Sequence, residues 1–541
     1  MLTAAHEVLL GEDVDAQACV AAALPPVALG RLRRTCRGAR GATPVGVDWA
    51  QLYQPSELAA TGKLRALKYL YQHDEEDLDM WDTLVTAADR GRHEVVAWVL
   101  GLTRVAPNVL LHVAASASTP EVLRLLSAAG LEHSPTALLT AVQCGNVAFL
   151  NAVLDAGVHP DSEFSLHDVR YGAHRHALIS ACNSGHLPCA RALLAAGADV
   201  DGQGREGSAL AEAAREGHLE CMRLLLDNNA DVDRQGQNGS ALLGAAREGH
   251  LECMQLLLEH SADVNAWDRA GCTALMYATS ARQIECVRLL LENTADVNAR
   301  SKWGRTALNF SKGSFSMSYL ESDQTACTLL LLEAGADVNA ADNDGNTAIM
   351  HAALYGNRSL TPLLKAGADV HAANANGFTP MLSACRSGYM ENVLLLDGRG
   401  ADPHAVSADG TTALMLACMR GHEGDVARWL IDKNVDLDAV QRASQNGDAG
   451  HTALIISSGD RRRMLVEVGT DLNVTDTQGW TALMHDCDNR NINAVRELIA
   501  AGASTWESSE EGKCAMDLAA EGGHWDCVTA VSQAREKFQR A

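Results

Sequence analysis

Apolar residues in this chain come in short bursts at helical spacing. The bursts fall in pairs, and a polar run built around glycine separates each pair from the next. Residues 268–299, DRAGCTALMYATSARQIECVRLLLENTADVNA, show the unit. A turn centred on Gly271 opens into TALMYA, with Thr273 at a helix N-cap position, its hydroxyl placed to accept a backbone N–H. Leu275, Ala278 and Thr279 recur at helical spacing and predict a short helix with one small, apolar face. Ile284, Val287, Leu290 and Leu291 form the stripe of a second helix. NTADVNA then predicts a loop and a hairpin-like finger leading to the next glycine. Neither helix can bury its face alone, so the units must stack side by side to make a continuous core.

The unit recurs. AGADV at 196–200 returns as NNADV, HSADV, NTADV, AGADV twice, RGADP and VGTDL, placing its Asp at 199, 231, 263, 296, 337, 369, 402 and 471, with an eroded copy at 436. A period near 33 residues marks a stacked array rather than one closed core.

The wording resembles the ankyrin repeat. GSALAEAAREGHLECMRLLLDNNADVD (207–233), GNTAIMHAALYGNRSLTPLLKAGADVH (345–371) and GFTPMLSACRSGYMENVLLLDGRGADP (377–403) are clear copies. Repeats open near 176, 208, 240, 273, 306, 347, 379, 412, 452, 481 and 514, and weaker copies lie at 134–157, 108–130, 82–102 and 57–73. The resemblance implies an all-α solenoid of about 14 helix-turn-helix repeats with short hairpin fingers, the fingers and first helices lining a concave face. The expected divisions are 1–52 outside the array, 53–175 of divergent repeats and 176–541 of regular ones.

Three irregularities stand out. Eight extra residues, drawn from SKGSFSMSYLESDQ (311–324), separate the two helices of the repeat at Thr306. The repeat 452–469 is four residues short, one helical turn, and follows an enlarged polar loop at 439–451. Arg461, Arg462 and Arg463 stand at the start of its second helix, where positive charge opposes the helix dipole. This repeat is therefore the expected weak point, with first proteolysis expected near 440–463.

Composition narrows the function. Net charge is −24, with 8 Lys against 36 Arg, which argues against nucleic acid and against an anionic membrane surface. No 18-residue apolar run is present and the acidic N-terminus lacks a basic leader region, so neither a membrane span nor a signal peptide is expected. Of fifteen cysteines, Cys221, Cys253, Cys286 and Cys327 share one position in the second helix, and Cys182, Cys385 and Cys418 replace a core Ala of the first. That placement reads as small buried hydrophobes in a reducing cytoplasmic or nuclear setting.

Motifs for chemistry are decoys. GQGREG (202–207) has the glycines of a dinucleotide loop but joins two repeats. His186, His218, His250, His422 and His524 recur once per repeat, where the resemblance implies that the imidazole ties down a loop. DNDGN (342–346) lacks the remaining ligands of a calcium loop. No catalytic, cofactor or metal site is expected, and the chain is expected not to be an enzyme.

What remains is binding. Variable tip positions of the fingers and first-helix ends between 268 and 489 carry Arg269, Trp303, Arg305, Asn343, Asp344, Phe378, Arg386 and Trp480, candidate contacts for a protein partner. Asn265, Asn298, Asn339 and Asn473 occupy the slot that asparaginyl hydroxylases modify in some ankyrin proteins; each also suits a plain turn-bonding role. In the N-terminal segment, LPPVALGRLRRTCRGAR (24–40) followed by Trp49 and Leu52 resembles the second half of an F-box, lacking that family's usual opening. The resemblance implies docking to a Skp-type adaptor of a cullin ubiquitin ligase. The other reading of residues 1–52 is an amphipathic cap over the first repeat.

Overall fold

A computed structural model of the chain describes residues 55–540, apart from 63, 65–66, 69–70, 72–78, 103–104, 163–175, 205–206, 237, 311–320, 356–357, 420–423 and 443–449. The F-box-like or capping segment 1–52, His422, and most of the insert 311–324 and of the loop 439–451 lie outside the described residues. Among the described residues the regular structure is helical, in short pairs, and isolated antiparallel bridges close several fingers, such as Trp267 with Thr273 and Ala341 with Thr347.

The chain divides into two compact units, the first ending at Asp263 and the second beginning at Val264. In the first, the pairs run from Met80–Asp89 with His93–Leu102 to Ala241–Glu248 with Leu251–Glu259, first helix packing on first helix and second on second.

 In the second, the pairs run from Ala274–Ser280 with Ile284–Glu292 to Ala515–Glu521 with Trp525–Arg540; second helix Ile284–Glu292 packs on Glu321–Glu333, and first helices pack on one another from Ala348–Tyr355 onward.

Packing follows the pattern of apolar positions. Leu275, Ala278 and Thr279 are buried on the first helix, and Val287 and Leu290 on the second, while Ile284 and Leu291 are partly covered. Each fully buried Leu or Val contributes about 1.5–3 kcal/mol, so many modest faces together hold the stack. Cys182, Cys221, Cys253, Cys286, Cys327, Cys385 and Cys418 are all buried, each as a thiol rather than half of a disulfide. Burial raises the Cys385 and Cys418 thiols to about 12, which makes them inert core atoms.

Two sequence expectations need adjustment. Thr273 is the N-cap residue in extended conformation, but its buried hydroxyl makes no bond to the first turn. Thr379, Thr452 and Thr481 do accept such bonds, all 3.3 Å long. Bonds at that length are weak. Burial of the hydroxyl-bearing turn, more than cap energy, therefore fixes this position. The repeat opening at Thr306 keeps only a turn at 307–309 before the insert, where Asn309 accepts from the Thr306 N–H at 2.6 Å and donates to Ala340 O at 3.1 Å. The amide of Asn309 does locally what helical hydrogen bonds do elsewhere.

The recurring histidines tie repeat to repeat. Nε2 of His186, His218 and His250 lies 3.3, 3.1 and 3.0 Å from the carbonyl oxygens of Gln143, Asn183 and Arg215. Each imidazole also covers a glycine of the preceding repeat. At Gly217 (φ +79°) an added Cβ would stand 2.7 Å from the His250 ring, so glycine is required there by both space and backbone.

Candidate partner-binding surface

The fingers of the second unit are joined tip to tip. Lys302 donates its N–H to Ala270 O at 2.9 Å, Asn343 to Trp303 O at 2.9 Å, Ala375 to Asp344 O at 2.8 Å, and Ala408 to Asn376 O at 2.8 Å. Arg442 continues the series onto Asp409 O at 2.7 Å. The approach is close enough that a Cβ at Gly377 (φ +73°) would meet the Ala408 nitrogen at 2.7 Å. Exposed backbone at these tips is therefore a bonded ribbon rather than a set of loose loops.

A second ladder runs beside it. The side-chain oxygen of Asn265 accepts the Asp296 N–H at 2.7 Å, that of Asn298 the Asp337 N–H at 2.8 Å, that of Asn339 the Asp369 N–H at 2.8 Å, and that of Asn473 the Ser504 N–H at 2.7 Å. Asn298 and Asn339 also donate to Gly335 O and Gly367 O. Asp438 does the same work for Asp471 at 3.0 Å, and in the first unit Asp201 and Asp233 do it for Asp231 and Asp263 at 2.9 Å. Carboxylate and amide both serve for the rung itself, which needs only an acceptor oxygen, while the amide can add a donated bond.

On this frame the eight candidate contacts fall into two groups. Arg269, Asp344 and Arg386 are exposed, and Trp303 is 53% exposed. The others are engaged with the protein. Arg305 Nε lies 3.5 Å from the buried Asp342 carboxylate, and Asn343, although exposed, donates its amide to Lys302 O at 2.9 Å. Phe378 and Trp480 are half-buried against the core. The Trp480 ring centroid is 5.1 Å from that of His485. Trp267, at 64% exposure the most open aromatic of this finger series, was missed by sequence reading. It lies on the leg of the finger, six residues before Thr273 and away from the variable tip; a large aromatic in a polar finger is its signal in the sequence.

Three fingers are organised by a buried or half-buried Asp at the base, Asp268, Asp342 and Asp476, and Ser301, Asn374, Ser407 and Ser509 hold the same place in others. Asp476 accepts the N–H groups of Gln478 and Trp480, both at 2.8 Å, while its other oxygen lies 2.7 Å from His485 Nε2. Asp268 meets the Tyr277 hydroxyl in the same register. Asp342 is approached by Arg305. Burial pushes the nearby His351 imidazole down, with Asp342 raising it and Arg305 lowering it again. His451 joins the Asp476 group with Nδ1 3.9 Å from the same oxygen, its ring edge-on to His485 at 5.2 Å between centroids. His451 and His485 lie outside the Gly-His position that recurs from repeat to repeat, so the periodicity gives no sign of their meeting at Asp476.

The trimmed repeat is braced to its successor. Arg462 is buried and lies 2.6 Å from Asp486 and 2.6 Å from Ser457 O. Arg463 reaches Glu497 at 2.9 Å and Asp460 at 3.2 Å. Two of the three arginines expected to oppose the helix dipole are thus matched by carboxylates.

A family model described as ankyrin repeats (3 copies) matches residues 111–204, 163–236, 210–301, 317–407, 392–467 and 458–539. The chain belongs to the ankyrin-repeat family, a class of stacked, all-helical interaction modules. Among solved structures it is similar to the crystal structure of the human ASB11 ankyrin repeat domain, with 25% sequence identity, a TM-score of 0.37, and coverage of 43% of this chain and 98% of that one. A comparison with curated proteins gave no match. Among the described residues no helix is long and apolar enough to cross a membrane.

Proposed function

We propose that the chain is a non-enzymatic protein-binding scaffold, and that its partner docks on the finger ribbon of the second unit. The observation that carries this reading is the pair Trp267 and Trp303, each more than half exposed on fingers whose tips are held by backbone hydrogen bonds. An exposed aromatic on a pre-ordered frame loses little entropy on binding, which is where binding energy concentrates. Arg269, Asp344 and Arg386 supply the charged rim; Arg305, Asn343, Phe378 and Trp480 hold the fingers in shape. Quantitative pull-down with the full chain tests this. Trp267→Ala and Trp303→Ala should each weaken capture of the bound proteins by about tenfold or more, as for an interface hot spot. Undiminished capture by the double variant would remove the reading.

A narrower version makes the chain the substrate-recognition subunit of a cullin ubiquitin ligase. It rests on the F-box-like residues 24–52 alone. Binding of a Skp-type adaptor to the intact chain, lost on deletion of 1–52, supports it; equal binding by both refutes it. Hydroxylation of Asn265, Asn298, Asn339 or Asn473 is a further proposal. Modification at Cβ would leave the ladder-forming oxygen in place, and peptide mass spectrometry would detect the added oxygen atom.

A further inference from the structure

We propose that His451, Asp476 and His485 form a zinc site that straps the trimmed repeat to the next one. One ligand atom from each of the three side chains lies within 4.8 Å of the other two. Zinc takes imidazole nitrogen and carboxylate oxygen at about 2.0–2.2 Å, so tetrahedral ligands stand about 3.4 Å apart. The observed separations from Asp476 Oδ2, 2.7 Å to His485 and 3.9 Å to His451, bracket that spacing. Small side-chain movements would let a cation replace the shared proton.

The support around the ligands is already built. Asp476 is buried, and its Oδ1 is held by the N–H groups of Gln478 and Trp480, which leaves Oδ2 for the imidazoles. The finger that carries it is closed by the Asp476 N–H to Trp480 O bond at 2.9 Å. His485 leans on the Trp480 ring and projects from a helix whose first turn is capped by Thr481. Such outer contacts fix ligand orientation in metal sites. Side-chain exposure of 34% for His451 and 20% for His485 leaves a path for the ion and room for a water as fourth ligand.

Comparison within the chain separates this site from an ordinary finger tie. The residue before the capping Thr, the Asp five before the next Thr, and the residue four after it form the same trio elsewhere as Arg305, Asp342 and His351. There the first member is a guanidinium, which cannot bind a metal. In the finger of Asp268, the third member is Tyr277. Two imidazoles on one carboxylate come together at 451, 476 and 485. His451 opens the trimmed repeat, whereas Asp476 and His485 belong to its successor, so the ion would cross-link the two.

The chain's own variants give the test. His451→Arg copies the Arg305 arrangement, and His485→Tyr copies Tyr277; each keeps a partner for Asp476 while removing a zinc ligand. The full chain is stripped with a chelator, equilibrated with zinc chloride and dialysed, and bound zinc and melting temperature are measured. Wild type should retain about one zinc per chain more than either variant, as expected for one three-ligand site, and zinc should raise its melting temperature while leaving theirs nearly unchanged. Equal zinc content and equal thermal shifts in wild type and His451→Arg would overturn the proposal, since zinc would then sit on other histidines or thiols. Should His485→Tyr fail to fold, the His451→Arg comparison decides alone.

Discussion

Arg462 and Asp486 form a buried ion pair, Nη1 to Oδ2 at 2.6 Å, between the second helix of the trimmed repeat and the first helix of its successor. Burial pushes the Asp486 carboxyl up, against the pull of Arg462, Asn491 and His485. The pair is thus expensive to desolvate but costly to break, because removing one member strands the other. Arg462→Ala should lower unfolding stability by about 3–5 kcal/mol, measured by denaturant titration. Arg462→Met with Asp486→Leu should recover more than half of that loss. A loss below about 0.5 kcal/mol for the single variant, the range of ordinary surface substitutions, would mean that the brace carries nothing.

Most second helices end in a turn that holds a left-handed residue. Glycine fills it at 197, 335, 367, 400, 469 and 502, but Asn229, Ser261, Thr294 and Asn434 occupy it elsewhere, Thr294 at φ +63°. A β-branched residue is poorly suited to this conformation. Thr294→Gly should therefore stabilise the chain by about 1 kcal/mol, the relief of strain exceeding glycine's entropic cost. A melting temperature that falls instead would show that the Thr294 side chain makes a compensating contact.

Asp409 gives a pH signature. Burial alone would raise its carboxyl, but hydrogen bonds from the Ser407, Gln441 and Thr411 side chains and the Thr411 N–H bring it down from 3.8 to about 2. A depressed carboxylate stabilises the fold above its unfolded value and loses that contribution as pH falls through the folded one. Stability of the wild type should therefore drop between pH 3.8 and about 2 through this group. The Asp409→Asn variant should have a shallower slope by up to about one proton over that interval. Identical slopes would rule out the assignment.

Trp303 and Trp480 should part company. Trp480 packs on the core and on His485, so Trp480→Ala should cost about 1–3 kcal/mol, less than a fully buried Trp. Trp303 is more than half exposed, and Trp303→Ala should stay within about 0.5 kcal/mol of wild type. Calorimetry on the two variants checks both.

Much of this was legible in the chain because ankyrin units are local. Val287, Leu290 and Cys286 announce their burial through spacing within one helix, and Gly271 its turn through its neighbours. Side-chain partners across repeats were not legible. Arg462 reads as an unfavourable charge until Asp486, 24 residues on, is brought beside it. The His451, Asp476 and His485 group emerges only when equivalent positions of successive repeats are aligned, which sets His451 in the column of Arg305 and His485 in that of His351. The split between exposed Trp303 and half-buried Trp480 likewise depends on finger geometry, which both sequences describe merely as an aromatic near a glycine.

Amide hydrogen exchange of the full chain, free and with its captured partner, tests the central claim most directly. The account predicts added protection at the fingers around 267–271, 302–305 and 343–345, with the second helices, such as Ile284–Glu292, unchanged. Protection confined to the second helices, with the fingers exchanging as in the free chain, would contradict it.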